Sequence, residues 1–239
     1  MQVTEIGQSA ILTIVRSLYT AYCLILFTAL AGAVILINGF VPNLRTRRRV
    51  AGVFSRAFLR AAGIRLDVEN LHRLPPIPCV VVSNHASYLD GIVAIAALPP
   101  DFAFVIKKEM VRVPLAGILL RRLGSEFVER FDRHQGAIDA RRVLKRATGG
   151  QSLVFFPEGT FSELRQIGKF LGGAFATAAR ARMPVVAMAI HGTRDALPSG
   201  TLLLRRLPLR VEVLEIMPPH EARHRSREVI GKAVGEPLA

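Results

Sequence analysis

From Ser17 to Leu44 the chain carries no charged residue, and most of this stretch is Leu, Ile, Val, Ala or Phe. About 20 helical residues cross a hydrocarbon core, so Ser17 to Val41 is long enough to span one. Ala29-Leu30-Ala31 resembles a signal-peptide cleavage site. Against cleavage, no basic cluster precedes the run, and the apolar sequence continues past that site to Ile37. The reading is a retained membrane helix, and its length leaves open whether it crosses the bilayer or dips into one leaflet.

The basic residues lie on the far side of the run: Arg45, Arg47, Arg48 and Arg49, then Arg56, Arg60 and Arg65. Loops rich in Lys and Arg stay in the cytoplasm, which places everything after this flank on that face of an inner, cytoplasmic membrane. Val53, Phe54, Ala57, Phe58 and Ala61 recur at helical spacing with Arg56 and Arg60 off that face. Val50–Ile64 is therefore either an amphipathic helix on anionic lipid or a helix packed on the core. Residues 1–64 form a membrane-associated N-terminal region and 65–239 a catalytic domain, since 239 residues suit one sizeable core plus an appendage.

The formal net charge is +14, which favours anionic partners: phosphorylated substrates, lipid headgroups or nucleic acid. Nucleic acid is disfavoured, because there is no Trp and no cluster of aromatics interleaved with basic residues. Cys23 and Cys79 sit in apolar runs and read as small buried hydrophobes rather than a disulfide or metal pair.

From residue 65 onward, short apolar runs alternate with helical patterns. Strands are expected at 65–68, 79–82, 102–106, 125–129, 153–156, 185–190 and 210–216. Helices are expected at 87–98, 115–123, 137–147 and 172–182. Continuous apolar strands separated by helices predict an α/β fold with a mixed, largely buried sheet flanked by helices.

Polar residues cluster just after the strands, where α/β folds place ligands. After Val80-Val81-Val82 comes Ser83-Asn84-His85-Ala86-Ser87-Tyr88-Leu89-Asp90. On one continuous helix His85 and Asp90 would be about 140° apart. They meet only if His85 lies in the turn and Asp90 in the first helical turn. A histidine held by a carboxylate can act as a general base near neutral pH. Ser87-x-x-Asp90 also fits a capping box, and one residue can serve both purposes. Lys107, Lys108 and Arg130 follow other strands. Gly159, in Pro157-Glu158-Gly159-Thr160-Phe161-Ser162, allows close backbone approach to an anion; Thr160-x-x-Glu163 is compatible with an ordinary helix-start turn.

Together these blocks resemble the lysophosphatidic acid acyltransferases (1-acylglycerol-3-phosphate acyltransferases). Asn84-His85-x4-Asp90 resembles the family's first motif, and Lys107-Lys108-Glu109 with Pro114, Gly117 and Gly124–Arg130 the second. Phe156-Pro157-Glu158-Gly159-Thr160 with Ser162 resembles the third, and Met183-Pro184-Val185-Val186 the fourth. The resemblance implies that His85 deprotonates an acceptor hydroxyl attacking an acyl thioester while Asp90 holds the imidazole. It further implies that Asn84, Lys107, Arg130, Glu158, Gly159 and Thr160 shape the substrate site. Glu158 would orient backbone or Arg130, or bond an acceptor hydroxyl. The implied partners are membrane lipid, a lysophospholipid acceptor, and acyl-CoA or acyl-carrier protein as donor, with no cofactor or metal. Two positions depart from the pattern: Phe161 stands where relatives commonly place arginine, and Ala187 where a second proline is usual. Lys169, Arg165 or Arg194 would then supply the lost charge, or the acceptor is another lysolipid. A non-catalytic lipid-binding protein is the rival reading, although binding alone needs neither His85 nor Asp90.

Overall fold

A computed structural model describes residues 2–161 and 163–239, except the side chains of residues 2–10 and 133. Two helices come first, α1 (Gln2–Phe40) and α2 (Leu44–Ala61). Asn43 caps α2 by accepting from the Thr46 N–H at 3.1 Å, which sets the hairpin between them. At 39 residues, α1 is roughly 58 Å long. Residues Ile11–Phe40 are long and apolar enough to cross a membrane.

The two faces of α1 differ in what they touch. Tyr19, Cys23, Phe27 and Leu30 pack into a core shared with Phe58, Leu59, Val93 and Met188. The Tyr19 hydroxyl donates to the Ala62 carbonyl at 2.8 Å, and the Leu204 N–H donates to the Thr20 hydroxyl at 3.0 Å. The opposite stripe, with Leu18, Tyr22, Ile25, Leu36 and Phe40, faces outward. Helix α2 begins earlier than expected and turns differently. Phe58 and Leu59 are buried in the core, whereas Val53 is half exposed. Arg48 is buried as well, donating to the Leu123 carbonyl at 2.9 Å and to Gln151 at 3.2 Å. Arg56 donates to the Ala96 carbonyl at 2.7 Å. Part of the basic cluster thus ties α2 to the domain rather than facing outward.

The remaining chain forms one seven-stranded sheet. Its strands are β1 (Leu66–Glu69), β2 (Val80–Ser83), β3 (Phe102–Lys107), β4 (Glu126–Val128), β5 (Ser152–Phe155), β6 (Val185–His191) and β7 (Leu209–Met217). The spatial order is β1-β7-β6-β2-β5-β3-β4. All neighbours are parallel except β6 and β7, so the sheet is mixed. Val81, Val154, Val186 and Met188 point to the face covered by α1, α2 and α3 (Leu89–Ala97). Val80, Val82, Leu153, Val185 and Ala187 point to the other. That second face carries α5 (Arg133–Thr148), α6 (Gly173–Ala181) and α8 (Pro219–Val234). Burial on both faces is why the strands read as continuous apolar runs.

Short α4 (Ala116–Arg122) and α7 (Thr193–Ala196) complete the fold. All seven expected strands form; α7 and α8 were not expected. No helix begins at Thr160, and residues 156–172 run as an irregular loop among those described.

Candidate active site

Strand β2 delivers the site. Its valines are fully buried, and where it ends the Asn84 side chain continues the pairing with β6. Asn84 Nδ2 donates to the Ile190 carbonyl at 2.9 Å, and its Oδ1 accepts from the Ile190 N–H at 2.8 Å. Both ends of the amide are therefore spent on backbone. In this structure Asn84 anchors the turn that carries His85.

Asp90, in the first turn of α3, is fully buried. Its Oδ2 accepts from His85 Nδ1 at 2.8 Å, the Ala86 N–H at 2.6 Å and the Ser87 N–H at 2.8 Å. The Ser87 hydroxyl in turn accepts from the Leu89 N–H at 3.2 Å. The same carboxylate thus holds the turn before α3 and orients the imidazole. Three donors converge on one oxygen of Asp90. With Nδ1–H directed at that carboxylate, Nε2 is left as the basic nitrogen of His85.

Aromatic rings hold the imidazole. Phe156 stacks on it at 4.6 Å and 25°, and Phe161 meets it edge-on at 4.7 Å. Tyr88 packs edge-on against Phe161 at 4.9 Å. His85 keeps a fifth of its side chain exposed, facing a cleft of about 140 Å³. Lys107, Arg130, Gly159 and Thr160 line that cleft, together with the apolar side chains of Ile95, Phe104, Ile106, Met110 and Leu120. Arg130 Nη1 donates to the Gly159 carbonyl. Gly159 has φ +79°, and a Cβ there would meet the Arg130 guanidinium at 2.5 Å. The positive φ favours glycine here, and a side chain would also displace the Arg130 guanidinium.

Glu158 turns away from the cleft. Its Oε1 accepts from the His85 N–H at 2.7 Å and its Oε2 from the Gly168 N–H at 2.6 Å. Burial pushes its carboxyl above the ordinary range, opposed by those two backbone bonds. Its role is to orient backbone, one of the options open from sequence. Two expected charges lie elsewhere. Arg194 is engaged by Glu236 through two bonds, at 2.7 and 3.0 Å, and Lys169 is exposed and off the cleft wall. The Arg165 guanidinium pairs with Asp195. Ser162 lies outside the described residues. Tyr88 and Gly168 were given no role from sequence, and Phe156 entered only as the first residue of the third block; a stacking ring or a backbone N–H has no motif of its own. Among the described residues no group of His, Cys, Asp and Glu could hold a metal ion.

Residues 65–191 match the acyltransferase family model. The chain belongs to the acyltransferase family. Within it, a chloroplastic 1-acyl-sn-glycerol-3-phosphate acyltransferase of Brassica napus is 34% identical over 139 residues, 57% of this chain and 40% of that protein. A lyso-ornithine lipid O-acyltransferase of Pseudomonas aeruginosa is 32% identical over 143 residues, 58% of this chain and 53% of that protein. The chain therefore spans about half or less of the length of these two relatives. The crystal structure of a 1-acyl-sn-glycerophosphate acyltransferase from Thermotoga maritima superposes with a TM-score of 0.78 at 21% identity, covering 93% of this chain and 96% of that one. The chain therefore shares that fold, and β2, α3 and the Glu158 loop lie within residues 65–191 that the family model matches.

Proposed function

We propose that the chain transfers an acyl group from a thioester, on coenzyme A or an acyl-carrier protein, to the free hydroxyl of a lysophospholipid. The observation that carries this reading is the His85–Asp90 pair opening onto a cleft lined by Lys107 and Arg130 together with apolar side chains. The acceptor oxygen attacks the thioester carbonyl as His85 Nε2 takes its proton. The tetrahedral intermediate then expels the thiolate, which recovers that proton from the imidazolium. Asp90 stabilises the imidazolium without being protonated. Lys107 and Arg130 meet the acceptor's anionic headgroup, and the apolar side chains suit an acyl chain.

The acceptor is most simply 1-acylglycerol-3-phosphate, the substrate class in most of the relatives' names. A second acceptor class is favoured by one observation: Phe161, not a cation, covers His85, while Arg194 and Lys169 lie off the cleft wall. Among the described residues lining the cleft the cations are then Lys107 and Arg130, which also suits a lysolipid without a phosphomonoester.

For membrane attachment we favour one leaflet over a full crossing. The inner face of α1 from Tyr19 to Val34 packs on protein, so that length cannot be ringed by lipid. Its outward stripe would lie in the cytoplasmic leaflet with the domain beneath. Purified protein given acyl-CoA and acyl-carrier-protein donors against a panel of lysolipids tests the reading. Acyl transfer to at least one glycerol-based lysophospholipid supports it; binding without turnover on every pair makes the chain a lipid-binding protein instead.

A further inference from the structure

The loop that supplies Gly168 to Glu158 is held from outside the site. After α8, Gly235 takes φ +71° and turns the chain back toward that loop. The Ile167 N–H donates to the Pro237 carbonyl at 2.8 Å, and the Ala239 N–H donates to the Ile167 carbonyl at 3.0 Å. Residues 237–239 thereby form a short parallel bridge with the loop. Arg227 of α8 reaches the same place: Nε donates to the Gly168 carbonyl and Nη2 to the Ile167 carbonyl, each at 2.8 Å, with a further bond to Ala239. Glu236 locks the segment through its two bonds to Arg194, both side chains being largely buried.

The bonds run in one unbroken series. Segment 236–239 and Arg227 fix the backbone at 167–168, the Gly168 N–H fixes Glu158, and Glu158 fixes the His85 N–H. His85 is thus gripped twice, by Asp90 through its ring and by Glu158 through its backbone. Each oxygen of Glu158 holds one of these N–H groups, so the one carboxylate joins the Gly168 backbone to the His85 backbone and a shift at Gly168 is passed to the histidine.

We propose that Glu236 and Arg227 are positioning residues for acyl transfer, clamping the Glu158 loop so that His85 keeps its reactive placement. The proposal rests on His85 being the base; it adds that residues far along the chain set that base's geometry. Misplacing a catalytic group by an ångström costs up to roughly a hundredfold in rate, while the cleft walls that bind the acceptor remain intact.

The test uses full-length Glu236→Gln and Arg227→Gln, with Arg225→Gln as control. Arg225 lies on the same helix, and its guanidinium pairs at 2.6 Å with Glu215 of β7 rather than with the loop carbonyls. Three quantities are measured: kcat and KM for the acceptor, Tm, and amide hydrogen exchange of peptides covering residues 83–88. The clamp predicts a kcat roughly tenfold or more below wild type in both variants, KM within about twofold, and faster exchange at 83–88. The control should show none of these at comparable Tm. Unchanged exchange at 83–88 in the folded variants overturns the clamp, and faster exchange with unchanged kcat overturns its catalytic consequence. Should the wild-type protein transfer no acyl group, the proposed function fails, while the exchange measurement still decides the clamp.

Discussion

Around His85 each neighbouring side chain has a separable job, and each is open to a substitution. Glu158 accepts two backbone N–H groups with two oxygens. Glu158→Gln turns one acceptor into a donor facing an N–H, and an unsatisfied buried group costs about 1–3 kcal/mol. The expected outcome is a kcat lowered by roughly 10- to 100-fold with little change in acceptor KM, read from steady-state kinetics. Phe161 concerns the acceptor instead. A guanidinium there would add a charge-assisted hydrogen bond of about 1.5–3 kcal/mol, roughly ten- to a hundredfold in affinity for a phosphomonoester. Phe161→Arg should therefore raise kcat/KM for lysophosphatidic acid relative to lysolipids with larger headgroups. An unchanged ratio, in a wild type that already prefers lysophosphatidic acid, would assign the headgroup to Lys107 and Arg130 alone.

Among the elements, strands were the most legible from sequence. Val80-Val81-Val82 and Val185–Ile190 are buried on both faces, so apolar continuity marked them without any help from periodicity. The His85 turn was legible for the same reason, since a polar run ending a buried strand is conspicuous. Helix α8 was not. Its buried positions, Ala222, Ser226 and Ile230, are sparse among charged residues, and Arg223 and Arg227 are spent on loop carbonyls that no local pattern reveals. Arg194 reads from sequence as a cation near a motif, and its pairing was not legible because its partner Glu236 lies 42 positions away. The β6–β7 pair carries a prediction of its own. His191 faces Arg210 across the ladder, and burial, then that guanidinium, hold its pKa below 6.5. As pH falls through 6.5 the unfolded chain takes up a proton that the folded one refuses, so stability declines toward the folded pKa. His191→Gln should flatten the Tm-versus-pH curve below pH 6.5; an unaltered slope would remove His191 from the acid response.

For the whole molecule, the shared core of α1, α2 and the sheet governs how membrane attachment is tested. Deleting α1 would strip cover from Phe58 and Leu59, mixing anchoring with stability. Substituting its outward stripe avoids this. Leu18→Ser, Ile25→Ser and Leu36→Ser remove up to about 1.5–3 kcal/mol of apolar transfer apiece while leaving the buried face alone. The triple variant should keep its Tm and lose sedimentation with anionic vesicles, with the remaining binding strongly salt-dependent. Retained, salt-resistant binding would move the membrane contact to another surface.

The account as a whole depends on a proton moving to His85 in a fold that does not need that histidine for stability. His85→Ala measured beside wild type, with Tm and vesicle binding recorded for both, tests this most directly. Turnover reduced by roughly three orders of magnitude or more, at near wild-type Tm and binding, is the predicted result. Turnover within a fewfold of wild type in the folded variant would contradict it.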